Sequence, residues 1–265
     1  MLSSLLAPRR AVILAAGLGS RLRPLTDDRP KPLVPVRGIP ILHNALHALA
    51  EFGVKDVTIV VGYRNEAIRS SCGESFGGVD ITYVESSVFD RTGSAYSLWL
   101  ARNTLLQGDA LLLEGDVFFE EAVLDRLVQS RHGDVAALAP FDETMTGSAV
   151  TLSADGFIQE VRMNQSVANL GREPLFKTIN LFRFGAATLR DKIVPALDTA
   201  IIAGEHRAYV EQILKRLIDG SGLAVASAAC DDLKWFEIDS EADLRMAEHI
   251  FSPHASVAAP ISVEQ

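Results

Sequence analysis

With 265 residues, 48% of them hydrophobic, the chain is long enough to bury the core of one large α/β domain. A formal net charge of −9 and a pI near 5.2 argue against a nucleic-acid backbone as partner, which would select a basic face. The two cysteines, Cys72 and Cys230, have no metal-type spacing and read as free thiols of a reducing, cytoplasmic compartment.

The first ten residues hold Leu2, Leu5 and Leu6, but neither a charged start nor a long apolar run, so no signal peptide is expected. No later stretch approaches the roughly 20 apolar residues of a membrane span, and no membrane partner is expected. Ala11 to Ala15 reads as a buried strand that empties into a loop with Gly17 and Gly19, then Arg21 and Arg23. Lys31 follows between Pro30 and Pro32, which stiffen the backbone that presents it. Ile39-Pro40 opens an apolar-periodic helix that stops at Gly53. A strand (Asp56 to Val61), a short helix (Arg64 to Cys72) and a third strand (Asp80 to Val84) complete a pattern of parallel units with right-handed crossovers.

Glu85 to Thr92 reads as loop, and Ser94 as the cap of a helix carrying Tyr96, Leu98, Trp99 and Ala101. Ala110 to Leu113 is a strand ending in Glu114-Gly115-Asp116, at the carboxyl edge where open parallel sheets collect ligands. A plainer reading makes Asp116 the cap of a helix beginning near Glu120. Asp134 to Ala139 is another strand, and from Ser148 the character becomes antiparallel. Ala149 to Leu152 and Phe157 to Val161 form a hairpin about Asp155-Gly156, and Lys177 to Phe184 alternates as a half-buried strand. Residues 145–184 therefore read as a small antiparallel insert, a lid or wall over the parallel sheet. A helix from Tyr209 to Asp219 ends near Gly220, and Leu223 to Ala228 is a strand. Trp235 to Asp239 precedes a capping box, Ser240 with Asp243, that starts a final helix through Phe251. Residues 1–251 are expected to be one domain and 252–265 a mobile tail. The expected fold class is α/β: a Rossmann-like, mainly parallel sheet flanked by helices.

The loop after the first strand is built for an anion. Glycine lets backbone N–H groups approach an oxygen-rich ligand, and arginine supplies planar forks suited to phosphate. It is neither of the two common glycine loops. Leu22 stands where the dinucleotide fingerprint needs a glycine, and no Gly-Lys-Ser/Thr follows. His43 and His47 are four apart with no carboxylate suitably between them, so a zinc site is not expected. The loop resembles that of nucleotidyltransferases, whose in-line attack on the α-phosphorus of a nucleoside triphosphate needs carboxylates for Mg²⁺ and cations for the leaving pyrophosphate and the acceptor. Asp116 and Asp239, each following a strand, are the candidate Mg²⁺ ligands, and Arg21 and Lys31 the cations on the triphosphate. Lys177 is either the acceptor's cation or an ordinary solvated lysine.

The run from Gly17 through Leu33 resembles the G-x-G-x-R-[LM]-x-P-[LM]-T-x-x-x-P-K-[PS]-[LM] signature of nucleotidyltransferases that join a nucleoside triphosphate to a phosphorylated small molecule. Tyr96-Ser97-Leu98, Glu114-Gly115-Asp116, Lys177 to Phe182 and Trp235 to Asp239 extend the resemblance. They resemble the branch that uses CTP with phosphocholine, 2-aminoethylphosphonate and related acceptors. The resemblance implies magnesium on Asp116 and Asp239 and catalytic roles for Arg21, Lys31 and Lys177. It implies nucleotide contacts from Leu14, Ala15, Ala16, Gly17, Gly19, Ser20, Gly93, Ser94 and Glu114 as well, and acceptor contacts from Arg91, Tyr96, Lys177, Asn180, Trp235 and Glu237. It leaves room for a homodimer.

Where the branch often has asparagine before Tyr96-Ser97, this chain has Arg91 to Ala95, so two acceptors stay open. Choline would call for an aromatic cage, to which Tyr96, Trp99, Trp235 and Phe236 could contribute. An acceptor with its own anionic end could use Arg91. A hexose-1-phosphate nucleotidyltransferase shares the opening signature, but Met163-Asn164-Gln165 stands where such enzymes usually carry a Glu-Gly or Glu-Lys-Pro element. A non-catalytic nucleotide-sensing paralogue should have lost Asp116, Asp239 or Lys31, and all three are present.

Overall fold

The computed structural model describes residues 8–171 and 173–252. Leu2, Leu5, Leu6 and all of the expected tail after Ser252 lie outside them. In chain order the elements are β1 (Arg10–Ala15), a ribbon of β2 (Pro35–Val36) and β3 (Ile39–Pro40), α1 (Ile41–Glu51), β4 (Asp56–Val61) and α2 (Asn65–Cys72). Then come β5 (Ser75–Phe76), β6 (Val79–Glu85), α3 (Ser94–Leu100), α4 (Arg102–Leu105), β7 (Ala110–Glu114), β8 (Val117–Phe119), α5 (Ala122–Gln129) and β9 (Val135–Pro140). The insert gives β10 (Gly147–Leu152), β11 (Ile158–Gln165) and β12 (Phe176–Phe184). Next, α6 (Ala186–Thr188) runs through a π-helical turn, Leu189–Ile193, into α7 (Val194–Ile202). The chain continues with α8 (Val210–Ser221), β13 (Ala226–Ala229), β14 (Trp235–Glu237) and α9 (Glu241–Ile250).

β1 lies at the centre of a ten-stranded mixed sheet, with β4 and β7 as parallel neighbours and β6 parallel beyond β4. Its residues alternate between two apolar layers, Ala11, Ile13 and Ala15 in one and Val12 and Leu14 in the other, because helices cover both faces. A third apolar cluster lies off the end of the sheet. It joins Leu22 of the glycine loop, Val34, Val36 and Ile41 to Phe118 of β8 and to Ile238 and Ala247 near the carboxyl end. That cluster holds the loop against the two segments that carry the candidate metal acids.

The insert is hydrogen-bonded into the same sheet, rather than lying over it. β12 runs antiparallel to β7 through Leu181–Phe184 and antiparallel to β10 at Phe176 and Lys177, so β7 and β10 occupy successive halves of one edge. The β10–β11 hairpin thus prolongs the sheet beyond the carboxyl end of β7, as a wall. Within β12, Asn180 takes a left-handed φ of 59°, and the pairing with β9 jumps from Thr178↔Leu138 to Phe182↔Ala136. This bulge resets the two-residue alternation. Lys177 and Asn180, which a regular strand would point to opposite faces, both reach Glu237.

Several local expectations change. Gly93, not Ser94, occupies the cap position of α3, and the Ser94 hydroxyl instead accepts the Val210 N–H at the start of α8. The helix after Asp116 begins at Ala122, so Asp116 does not cap it. α8 passes through Gly220 and stops at Gly222, which has φ 61°. The helices across Ala186–Ile202 were not anticipated. Cys72 and Cys230 are buried free thiols, their pKa values pushed by burial to about 11 and about 12.

The bulge gives a test whose sign runs against strand propensity. Asn180→Gly and Asn180→Val both lose the side-chain amide, but only valine is strained at positive φ, by about 1–2 kcal/mol. Chemical denaturation is expected to find the valine variant less stable than the glycine variant, although valine is the better strand former.

Candidate active site

At the end of β1 the chain passes through Ala16 and Gly17 into a left-handed Gly19, φ 61°, followed by a 3₁₀ turn at Ser20–Leu22. A Cβ on Gly19 would stand 2.7 Å from the Cβ of Lys31, so glycine is what lets the lysine segment lie against the loop. The buried Thr26 hydroxyl donates to the Gly19 carbonyl at 2.8 Å and closes the loop. Lys31 begins its own 3₁₀ turn, Lys31–Leu33, with Pro30 in extended conformation before it. From there its ammonium donates to Asp116 Oδ2 at 2.9 Å and to Asp239 Oδ1 at 2.6 Å.

A small antiparallel ribbon brings those two acids together. β8 pairs with β14, Glu237 opposite Val117, and the Ile238 N–H donates to the Asp116 carbonyl at 2.9 Å. Asp116 and Asp239 therefore flank one end of the same ribbon. The capping box reinforces this: the Asp243 carboxylate accepts the N–H groups of Asp239 and Ser240, and the Ser240 hydroxyl accepts the Asp243 N–H. Arg21 adds a second cation on Asp239 Oδ1 at 2.9 Å.

Burial disfavours the charged form of both partners, but the ion pairs outweigh it. Lys31 is held above the ordinary lysine range by Asp116 and Asp239, and Asp239 below the ordinary carboxylate range by Lys31, Arg21 and Lys177. The other oxygen of Asp116, Oδ1, is buried without a hydrogen-bond partner. A buried carboxylate oxygen is normally satisfied, and hard oxygen donors of this kind suit Mg²⁺. The residues present therefore fit a divalent cation between Asp116 and Asp239.

Across the cleft, Lys177 is buried, which removes the solvated-lysine reading. Its ammonium pairs with Glu237 at 2.9 Å and donates to the Thr146 carbonyl at 3.2 Å. The enclosed space is about 630 Å³, and every residue assigned to the nucleotide and the metal lines it, with Lys177 and Glu237. Asn180 stands behind Glu237, donating to it at 3.2 Å. Ser97, Ser148, Met163, Asn164 and Glu211 line the cleft without having been singled out as site residues. Burial raises the carboxyl pKa values of Glu114, Glu211 and Glu237, with neighbouring acids adding to the shift.

Three assigned acceptor residues lie elsewhere. Arg91 belongs to a turn closed by its own N–H and the Thr92 hydroxyl on the Val88 carbonyl. It faces a shallow pocket with Arg207 and Arg216, on the other side of Gly93, whose outer face is pressed against Arg207 and Ala208. Tyr96 is two residues past Ser94, roughly 200° around the helix, and packs on Trp99 and His206 with centroids at 5.5 and 5.6 Å. The Trp99 ring is already covered by the Arg102 guanidinium at 4.1 Å. Trp235 and Phe236 line a second cavity of about 430 Å³, which meets the first at Arg21, Thr146, Lys177, Glu237 and Asp239. The four aromatic residues do not form one cage.

Residues 10–157, from β1 to the insert hairpin, match the family model described as nucleotidyl transferase. The chain belongs to the nucleotidyl transferase family. It is 38% identical over 247 residues to the CMP-5'-(3-aminopropyl)phosphonate synthase of Streptomyces rubellomurinus, a match that covers 93% of this chain and 39% of that protein. It is 29% identical over 219 residues to the bifunctional protein GlmU of Methanococcus vannielii, covering 80% of this chain and 48% of the relative. The chain thus spans two-fifths to half the length of these curated relatives. Among solved structures, the CTP:phosphocholine cytidylyltransferase LicC of Streptococcus pneumoniae matches with a TM-score of 0.76 at 23% identity, covering 92% of this chain and 99% of that one. That likeness establishes the shared α/β fold. Among the described residues no helix is long and apolar enough to cross a membrane.

The lysine bridge makes two measurable claims. Lys31→Met leaves two facing carboxylates with side chains 21% and 26% exposed, so the loss is expected to be roughly 1–3 kcal/mol, below that for breaking a fully buried pair. Millimolar Mg²⁺ should raise the Tm of this variant more than that of the parent; an equal or absent shift would remove the acids as a cation site. The depressed Asp239 value means its stabilisation is present above about pH 4 and lost as pH falls through the lowered value. The raised Lys31 value holds its share up to about pH 10. Asp239→Asn is therefore expected to flatten the acid limb of stability between pH 2 and 5, as read by denaturant midpoints.

Proposed function

We propose that the chain transfers CMP from CTP to an oxygen of a small phosphonate or phosphate acceptor and releases pyrophosphate. The observation that carries the reading is the Lys31 ammonium between Asp116 and Asp239 at the mouth of the glycine loop, with a buried cation, Lys177, on the opposite wall. The 38% identity to a CMP-aminopropylphosphonate synthase supports cytidine and a phosphonate over a sugar phosphate.

An acceptor oxygen forms the new bond to the α-phosphorus of CTP as the bond to the pyrophosphate oxygen breaks. A phosphoryl acceptor already carries about −1.5 to −2 charge at pH 7, so no general base is required, and no histidine lines the cleft. The difficulty is to bring two anions together. The Gly17–Gly19 turn offers backbone donors to the triphosphate, Arg21 and Lys31 take its charge, and Lys177 holds the acceptor's anionic end opposite. Asp116 and Asp239 would hold Mg²⁺, which when bound neutralises phosphate oxygens and polarises the reacting phosphoryl group. Lys31, which bridges the two acids, would then be able to donate to the phosphates. We read residues 8–252 as one catalytic unit in which the 147–184 segment supplies the acceptor wall.

Pyrophosphate release measured with each of four triphosphates tests this. The acceptors are phosphocholine, 2-aminoethylphosphonate, 3-aminopropylphosphonate, glucose 1-phosphate and mannose 1-phosphate. Release is expected with CTP and a phosphocholine or phosphonate acceptor. Release with a hexose phosphate alone would replace this reading with sugar activation, and none with any acceptor would favour a nucleotide-sensing role. Asp116→Asn and Asp239→Asn are each expected to lower kcat by about 10³-fold or more while the fold is kept.

A further inference from the structure

Glu211 is the cleft acid to which neither the sequence reading nor the proposed chemistry gives a role. It stands in the first turn of α8, beside the N–H groups of the helix start, where an acid is ordinarily no more than a favourable dipole partner. Its carboxylate lines the cleft together with the Ser148 hydroxyl of β10, and the start of α8 is tied to α3 through the Val210 N–H on Ser94. The side chain lines the cleft with Lys177 close enough to act on its charge. Lys177, however, is paired with Glu237, Lys31 serves Asp116 and Asp239, and among the described residues no cation forms an ion pair with Glu211.

β10 follows β7 along the edge of β12 with Ala149 opposite Lys177, so Ser148 lies between the end of β7 and the lysine that takes the acceptor's anion, and Glu211 lines the same cleft. A cleft that must receive anions thus carries, next to its acceptor cation, a carboxylate with no ion-pair partner among the described residues. Such a group costs stability unless a ligand brings the missing positive charge.

We infer that Glu211 receives the ammonium end of a zwitterionic acceptor, a small phosphonate or phosphate carrying a primary amine a few bonds from its anionic end, with Lys177 on that anionic end. This rests on the cytidylyl-transfer reading and narrows its acceptor. A primary ammonium has three N–H donors, which match the Glu211 carboxylate and the neighbouring Ser148 hydroxyl. A quaternary ammonium has none and is held by ring faces. Around Glu211 no cage is assembled: Phe89 stands at the Gly62 end of the cleft, Tyr209 is one exposed ring at the rim, and Trp235 lines the second cavity.

The test compares 3-aminopropylphosphonate with propylphosphonate, and 2-aminoethylphosphonate with ethylphosphonate, using CTP and Mg²⁺ and reading kcat and KM separately. In the wild type the amino compounds should be preferred. In Glu211→Gln the ratio of kcat/KM for amino over des-amino acceptor should fall about tenfold to a hundredfold, mostly through KM, with Glu211→Asp recovering part of it. Calorimetric titration of 3-aminopropylphosphonate into wild type and Glu211→Gln supplies a readout independent of turnover, and binding should weaken by a similar factor. An unchanged ratio and affinity in Glu211→Gln overturn the inference while leaving cytidylyl transfer intact. So does a ratio that falls in Trp235→Ala instead, which would send the acceptor's tail into the second cavity. Wild type that neither releases pyrophosphate nor binds the aminophosphonate overturns both readings together.

Discussion

Two aspartates from positions 116 and 239 cannot share a small cleft unless something answers their repulsion, and the Lys31 ammonium does so with one hydrogen bond to each. The surrounding architecture can be understood as what that three-body contact requires. Left-handed backbone at Gly19 lets the lysine segment approach the first strand's loop. The β8–β14 ribbon sets the two acids side by side through the Ile238 to Asp116 backbone bond. Leu22, Phe118 and Ile238 share one apolar cluster, so the loop and both acid-bearing segments are packed as a unit. Geometry that brings distant charges into register is stabilised here by nonpolar burial at its back.

The same cleft is rich in acids for a site that must handle anions. Glu114, Glu211 and Glu237 join the two aspartates, and burial pushes the first three toward the neutral form. Arg21, Lys31 and Lys177 offset part of that charge. The proposed metal at one end and the proposed acceptor amine at the other would answer the remainder. Ligands that bring positive charge to these acids should therefore stabilise the fold by more than their contact area alone would suggest.

How much of this was legible depended on how local the determinant was. The glycine loop and the Pro-Lys-Pro unit are short-range patterns, and the parallel strands announce themselves as apolar runs, so β1, β4, β6 and β7 lie within a residue or two of their expected bounds. Asp239 was legible as an acid that follows a strand and through family resemblance, although no spacing rule joins it to Asp116. The misses were long-range or rotational. Arg91 sits on a turn that directs it away, and Tyr96 points outward by helical phase. The shared approach of Lys177 and Asn180 to Glu237 needs a bulge that strict alternation hides. Glu211 resembled an ordinary first-turn acid until tertiary structure set Ser148 beside it. The helices across Ala186–Ile202 contain a π-turn and Pro195, which blur a regular 3.6-residue stripe.

The β10–β11 hairpin is joined to β12 by only two register pairs, Ala149 with Lys177 and Val150 with Phe176, whereas β1 shares six with β4 and five with β7. Its other supports, the bridge of Phe157 to Ala226 and the packing of Ile158 and Val161 on α8, also lie outside β1, β4 and β7, so the hairpin can be exchanged or lengthened without rethreading those parallel strands. Substrate range and nucleotide handling are thereby separable traits of one continuous sheet. A lineage could diversify the former by grafting hairpins while inheriting the latter unchanged.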